Sequence, residues 1–99
     1  MAHWVIFHVP TPTPDGQTAK DLYEKRVRWF TPEMRESARG HGCRFHRAFT
    51  AADGSAFWAV ACWETREGGT AFYDEWEIED ESGEVAIRLE GDLGLVPLG

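Results

Sequence analysis

The chain lacks most of the motifs by which a short sequence declares its chemistry. Its 99 residues hold two cysteines, Cys43 and Cys62, and no CxxC pair. That excludes the disulfide framework of a small secreted domain, so the thiols read as small buried hydrophobes. The four histidines, His3, His8, His41 and His46, form no HxH, HExxH or Cys/His spacing, and no metal or other cofactor is expected. There is no Gly-rich phosphate loop, no GxSxG elbow and no dinucleotide fingerprint. Basic residues are scarce: ten Lys and Arg stand against seventeen Asp and Glu, a net charge of −7. This argues against a nucleic-acid backbone as partner and against docking on anionic lipid. No apolar run is long enough to cross a bilayer. The opening MAHWVIFHV has no basic region or cleavage pattern of a signal peptide, so a cytoplasmic location is expected.

What the chain has in quantity is aromatic surface. Five Trp and six Phe are many for one domain of residues 1–99. They can fill a core, line a cavity for an aromatic ligand, or sit in a dimer interface.

The segment CRFHRAFTAADGSAFWAVACWET, from Cys43 to Thr65, is the most informative. Two apolar runs flank an Asp53-Gly54 turn signal, which predicts a β-hairpin. Side chains alternate along strands. One face then carries Cys43, Phe45, Phe49, Trp58, Val60 and Cys62, bulky and apolar as a helix-packed surface should be. On this pattern the two cysteines share a face, and one of the two registers the turn allows, with a loop from Ala51 to Gly54 or of Asp53-Gly54 alone, makes them cross-strand neighbours. The other face carries Arg44, His46, Ala48, Phe57, Ala59, Ala61 and Trp63. Small alanines opposite large aromatics leave room beside a histidine, which is what a ligand pocket needs.

The remaining elements follow from pattern. Ala2 to Val9 alternates as a strand, with His3, Val5, Phe7 and Val9 on one side and Trp4, Ile6 and His8 on the other. The first set is the more apolar, so Trp4 and His8 are expected at the cavity. Pro10, Pro12 and Pro14 make an extended loop. Thr18 is a candidate cap for a helix whose apolar stripe runs Ala19, Leu22, Tyr23, Val27, Phe30, Met34, Ala38. Pro32 either kinks this helix or opens a second one capped by Thr31; the unbroken stripe favours the kink. Gly40 and Gly42 end it. Ala71 to Trp76 reads as helix. Glu84 to Glu90 fits both strand and helix templates. The acidic run from Asp74 to Glu84 reads as a solvated rim. Leu93 to Leu98 reads as a terminal strand.

The order strand, helix, hairpin, helix, strand is the βαββαβ pattern of a ferredoxin-like α+β fold with an antiparallel sheet. Both faces of the first three strands carry large apolar groups. Such a sheet is stable in water when two copies close against each other, so a homodimer enclosing a cavity is expected.

The chain resembles the dimeric α+β barrel superfamily, in particular the small antibiotic-biosynthesis-monooxygenase-like proteins. The resemblance lies in Ala51 to Thr65: the Asp53-Gly54 turn, an alternating strand, and Trp63-Glu64-Thr65 leading into the second helical region. It implies a cavity near Trp63 for a hydrophobic, often aromatic, small molecule between sheet and helices. The activities it implies range over cofactor-free oxygenation, isomerisation, dehydration, polyketide cyclisation and haem breakdown. In the oxygenases of polycyclic phenols an Asn-like residue sits four before this Trp; here that position is Ala59, a departure from the oxygenase pattern.

Three classes of function are consistent with these residues. The first is a cofactor-independent cyclase, isomerase or monooxygenase acting on an aromatic or polyketide-like compound. His46 or His8 moves the proton and Arg44 stabilises an oxyanion. Trp63, Trp4, Phe57 and Tyr23 contact the substrate, and Ala59 and Ala61 leave it space. The second is a non-catalytic binding protein for a hydrophobic small molecule or haem. The third is an assembly module whose sheet serves dimerisation alone. His41, just past a helix end, reads as structural.

Overall fold

Residues 2–99 are described by a computed structural model. Strand β1 spans His3–Pro10, α1 Ala19–Trp29, α2 Pro32–Gly40, β2 Cys43–Thr50, β3 Ala56–Trp63, α3 Arg66–Glu75 and β4 Val85–Leu89. The four strands form an antiparallel sheet in the order β2-β3-β1-β4, the ferredoxin-like arrangement.

The helix starts are written in three threonines. Thr18 and Asp21 make a reciprocal capping box: each side chain accepts the other's backbone N–H, at 3.2 and 2.9 Å. Thr31 accepts from the Met34 N–H with Pro32 in the first turn, and Thr65 accepts from the Gly68 N–H at 3.1 Å. The kinked single helix is therefore corrected to two helices. The Thr31 cap and Pro32 outweigh the continuity of the stripe, because a proline suits a first turn and disrupts an interior.

Register settles the faces. His46 pairs with Ala61, Ala48 with Ala59 and Thr50 with Phe57, while β1 sets Phe7 opposite Ala59 and Val5 opposite Ala61. These residues face the helices. Val5, Val9, Leu22, Phe57, Trp63 and Phe72 form the heart of the core there, all at most 2% exposed. The expectation that Phe45, Phe49, Trp58, Val60 and Cys62 pack on the helices is overturned: they lie on the open face. The reason is steric. The alanines of β3 let helices approach closely, whereas the tryptophan-rich face would hold them off.

Two further expectations change for local reasons. A β-bulge between Cys43 and Phe45 pairs Cys43 with Trp63 and Phe45 with Cys62, so the cysteines are on opposite faces. Both are free. Trp4, Ile6 and His8 pair with Cys62, Val60 and Trp58, which places Trp4 and His8 on the open face. Trp4 meets the ring of Phe45 edge-on at 5.4 Å, and His8 meets Trp58 at 4.4 Å. Glu84 to Glu90 resolves as strand β4. Leu93 to Leu98 forms no strand within the chain; Leu93, Leu95 and Leu98 are almost fully exposed.

Glycine is required where α3 meets the end of α2. A Cβ on Gly68 would overlap the His41 carbonyl oxygen, and one on Gly69 would stand 3.2 Å from the Trp63 ring. Gly68→Ala is expected to destabilise by about 1–3 kcal/mol, lowering Tm by roughly 5–20 °C. Gly40→Ala, with open space around it, is expected to be neutral or slightly stabilising in the same melting experiment. Equal melting of the two variants would contradict this packing.

Candidate functional site

Ala19, Leu22 and Arg26 recur at helical spacing, so the inward face of α1 ends in a cation. The Arg26 guanidinium lies 5.0 Å from the centre of the Phe57 ring and 5.6 Å from that of Phe7. Its Nη2 donates to Glu84 Oε1 at 2.7 Å. The Glu84 side chain, just ahead of β4, is 4% exposed. The pair forms one wall of a recess of about 200 Å³, bounded also by Phe7, Phe30, His46 and Tyr73. A second recess of about 210 Å³ shares Arg26, Phe30 and His46 and runs on to Tyr23 and Ala48. Beyond it a wide groove of about 550 Å³ opens toward the hairpin turn between Tyr23, Phe49 and Phe57. The larger groove is mostly apolar and open; the titratable groups converge in the smaller recesses. Taken together the two recesses reach the roughly 300–1,000 Å³ range of small-molecule sites.

The electrostatics separate the groups by role. His46 keeps an open edge to solvent, yet its ring rests near Phe30, 6.3 Å between centres. Loss of water around the ring, helped by the charge of Arg26, pushes its pKa down to about 4. It is neutral at pH 7 and able to accept a proton. Burial holds the Tyr73 phenol well above its ordinary range, so it remains a donor. Glu84 is pushed up to about 7, first by burial and then by the neighbouring Asp80 carboxyl, against the opposing pull of Arg26.

The Glu84 shift carries a stability consequence. A carboxyl whose folded pKa lies above its unfolded value binds more protons in the folded state. Its contribution is therefore most favourable below about pH 4.5 and declines as pH rises through 7. His46 acts in the opposite sense, its lowered pKa removing stability as pH falls from 6.5 toward 4. Between pH 6.5 and 8 the loss at Glu84 is about twice the opposing gain still to come from His46, half of whose unfolded-state proton remains at pH 6.5. Tm is expected to fall by a few degrees across that interval, and Glu84→Gln to abolish the fall or turn it into a slight rise. An unchanged slope in that variant would place the titration elsewhere.

Arg88, on β4, also lines the inner recess. Its Nη1 donates to His3 Nε2 at 3.2 Å, which leaves the His3 proton on Nδ1 to donate to Glu90 at 2.7 Å. His3 is 1% exposed, and its part is to hold Arg88. His41 has the structural place expected of it, capping α2 and bonding Glu75 of α3 at 2.8 Å.

The residues expected from sequence are only partly brought together. His46 is in the recess, Tyr23 borders the outer one, and Phe57 backs the groove. Ala59 and Ala61 are wholly buried beneath the helices and bound neither of these two recesses. Trp63 is 2% exposed, packed against Phe72 at 5.4 Å and edge-on to Tyr73 at 5.9 Å, and its indole N–H has no partner among the described residues. Arg44 is the extra residue of the bulge and points into solvent, because the bulge turns it out of the alternation. Trp4 and His8 are on the far face of the sheet, one residue, half a strand period, out of phase with the recess. Arg26, Tyr73, Glu84 and Arg88 were not anticipated. Arg26 had a signal, being four residues after Leu22 and seven after Ala19. Glu84 had none, since its partner is 58 residues away, and its place in the acidic run suggested solvent.

No family model matches the sequence, and no curated protein does. Solved structures do. A dimeric ferredoxin-like protein from an uncultured marine organism superposes with a TM-score of 0.66 at 9% identity, covering 96% of this chain and 93% of that one. An antibiotic biosynthesis monooxygenase assigned in Nitrosomonas europaea gives 0.60 at 14% identity over 91% and 89%. The ActVA-Orf6 monooxygenase of Streptomyces coelicolor, solved with nanaomycin D, gives 0.58 at 16% identity over 97% and 92%. At such identities the likeness establishes the fold: the chain has the ferredoxin-like α+β fold of these proteins, as the order of its elements predicted.

Proposed function

We propose that the protein is a cofactor-independent enzyme acting on an aromatic or polyketide-like small molecule held between sheet and helices, of monooxygenase or cyclase/isomerase type. The observation that carries this is the convergence of a neutral histidine, a protonated tyrosine and an arginine in one aromatic-walled recess. His46 takes a proton from an activated carbon, and Arg26 and Tyr73 stabilise the enolate oxygen that results. Phe7 and Phe30 hold the rings. The monooxygenases among the structural neighbours support the same type of chemistry on this fold.

The reading includes a homodimer, supported by surface that one copy leaves uncovered. Trp58, Val60, Ile6 and Ile87 lie on the open face, and Leu93, Leu95, Val96 and Leu98 project beyond β4. The radius of gyration, 14.5 Å, exceeds the roughly 13 Å of an average chain of this length, as a flat sheet with an extended tail requires. A second copy seated face to face buries both features, and one structural neighbour is described as dimeric. Val60→Glu is expected to give monomer mass by light scattering at micromolar concentration, with the wild type a dimer. A wild-type monomer would end this part of the reading.

Anthrone, an aromatic ketone with an enolisable methylene, tests the chemistry. In heavy water the wild type is expected to accelerate exchange of that methylene, seen by NMR. Oxygen uptake with release of anthraquinone and water would assign the monooxygenase branch. Exchange without uptake would assign the isomerase and cyclase branch. Binding with neither would replace the enzyme by a carrier.

A further inference from the structure

We propose that the Arg26–Glu84 pair selects ligands bearing an acidic ring hydroxyl, a phenol or enol: the hydroxyl proton passes to the Glu84 carboxylate, and the resulting oxyanion takes its place on the Arg26 guanidinium. The proposal rests on the recess being the binding site described above, and names the class of group read there.

The pair is unusual for its setting. A charge pair on a protein surface contributes little and needs no cavity. This one closes the wall of an aromatic recess, with Glu84 almost wholly withdrawn from solvent and Arg26 laid over two phenyl rings. The observed bond joins Arg26 Nη2 to Glu84 Oε1 alone, and the Asp80 carboxyl lies close to the Glu84 carboxylate, so the second oxygen of Glu84 sits beside an acceptor from which a donating hydroxyl would separate it. Breaking such a pair without a substitute is costly, because one charge is left buried and uncompensated. A neutral hydroxyl avoids that cost. It enters uncharged, gives its proton to Glu84, and leaves one cation and one anion in the recess as before.

The charges around the pair favour this over a ready-made carboxylate. Glu79, Asp80 and Glu81 line the same recess from the segment ahead of β4. Of these Glu81 is held by Lys25 at 2.8 Å. From β4, Arg88 is engaged by His3; from β2, His46 is uncharged; from α3, Tyr73 keeps its proton. An anion arriving from solvent meets this acidic rim and must then compete with Glu84 for Arg26. A phenol meets neither obstacle. The elevated proton affinity of Glu84, caused by burial and by Asp80, suits it to receive the proton.

The probe is 1-naphthol, neutral in water at pH 8, with Glu84 in the free protein mostly ionised. Calorimetry in two buffers of different ionisation enthalpy counts protons released on binding, and near-ultraviolet absorption reports naphtholate. The expected result is bound naphtholate in both proteins. Wild type should release close to zero protons per molecule bound, and Glu84→Gln about one, since its proton has no acceptor but solvent. Release of a full proton by wild type, or naphthol bound in its neutral form, would overturn the proposal. A measurement on wild type alone guards against a misfolded variant: infrared difference spectra on binding should gain the carbonyl stretch of a protonated carboxyl, and its absence would equally overturn it. Failure of wild type to bind naphthol at all would instead overturn the recess as the binding site, and this inference with it.

Discussion

Trp63→Ala is expected to cost about 3–5 kcal/mol and lower Tm by roughly 15–30 °C. The indole is one of the largest side chains in the core, packed between Phe72, Tyr73 and the Cα of Gly69, and α3 collapses onto nothing else when it is removed. Ligand affinity is the more telling quantity. From the strand pattern Trp63 faces the cavity and stacks on substrate; in the structure it is core, beneath the layer that Tyr73 and Phe7 present to the recess. Trp63→Phe keeps most of the packing and removes an indole N–H that has no partner. It should fold, melt within several degrees of wild type, and bind 1-naphthol within about twofold of the wild-type Kd. A folded Trp63→Phe protein that lost binding by tenfold or more would return the indole to the site.

His46→Ala is expected to do the reverse: little to the fold, much to turnover. Its ring is open on one side and meets Phe30 at 6.3 Å, so Tm should move by only a few degrees. Loss of a positioned base typically costs 10²–10⁴-fold, and anthrone exchange should fall by at least about a hundredfold. The pH profile separates His46 from its neighbours. With its pKa lowered to about 4, His46 is in its working form throughout the neutral range. An acid limb near pH 7 in the wild-type profile would then belong to Glu84, and Glu84→Gln should remove it while leaving the limb near pH 4. Full exchange activity in folded His46→Ala would remove the imidazole from the chemistry.

The order of elements, the faces of the hairpin and the Thr18 cap were legible because they are local, whereas the Thr31 cap was outweighed by the stripe and the Thr65 cap was not anticipated. Thr18, Thr31 and Thr65 each cap a helix within three residues of themselves, and Asp53-Gly54 fixes which residues of β2 and β3 share a face. That turn alone puts His46 across from Ala59 or Ala61, on the same face either way; the structure pairs it with Ala61. What could not be read was which face the helices would cover. Both are apolar, and the choice turns on the small size of Ala59 and Ala61, a matter of how near a helix may come rather than of hydrophobicity. That one decision moved Trp4 and His8 away from the recess and sank Trp63 into the core. Arg44 was lost to a bulge, which has no sequence marker here. The Arg26–Glu84 pair was hidden differently: each residue taken singly looks like a solvated charge, and only the closing of β4 against β1 brings them together.

The uncovered sheet face has one more consequence, for what stability means in this protein. If a second copy covers Trp58, Val60 and Ile87, each subunit acts as a stabilising ligand for the other, and the folded population follows mass action. Tm then has no single value; it climbs with protein concentration, and any substitution on that face shifts the dependence as well as the midpoint. Dilution becomes a mild denaturant. A cell could set the amount of folded, binding-competent protein by how much of the chain it makes, with no effector and no change in sequence.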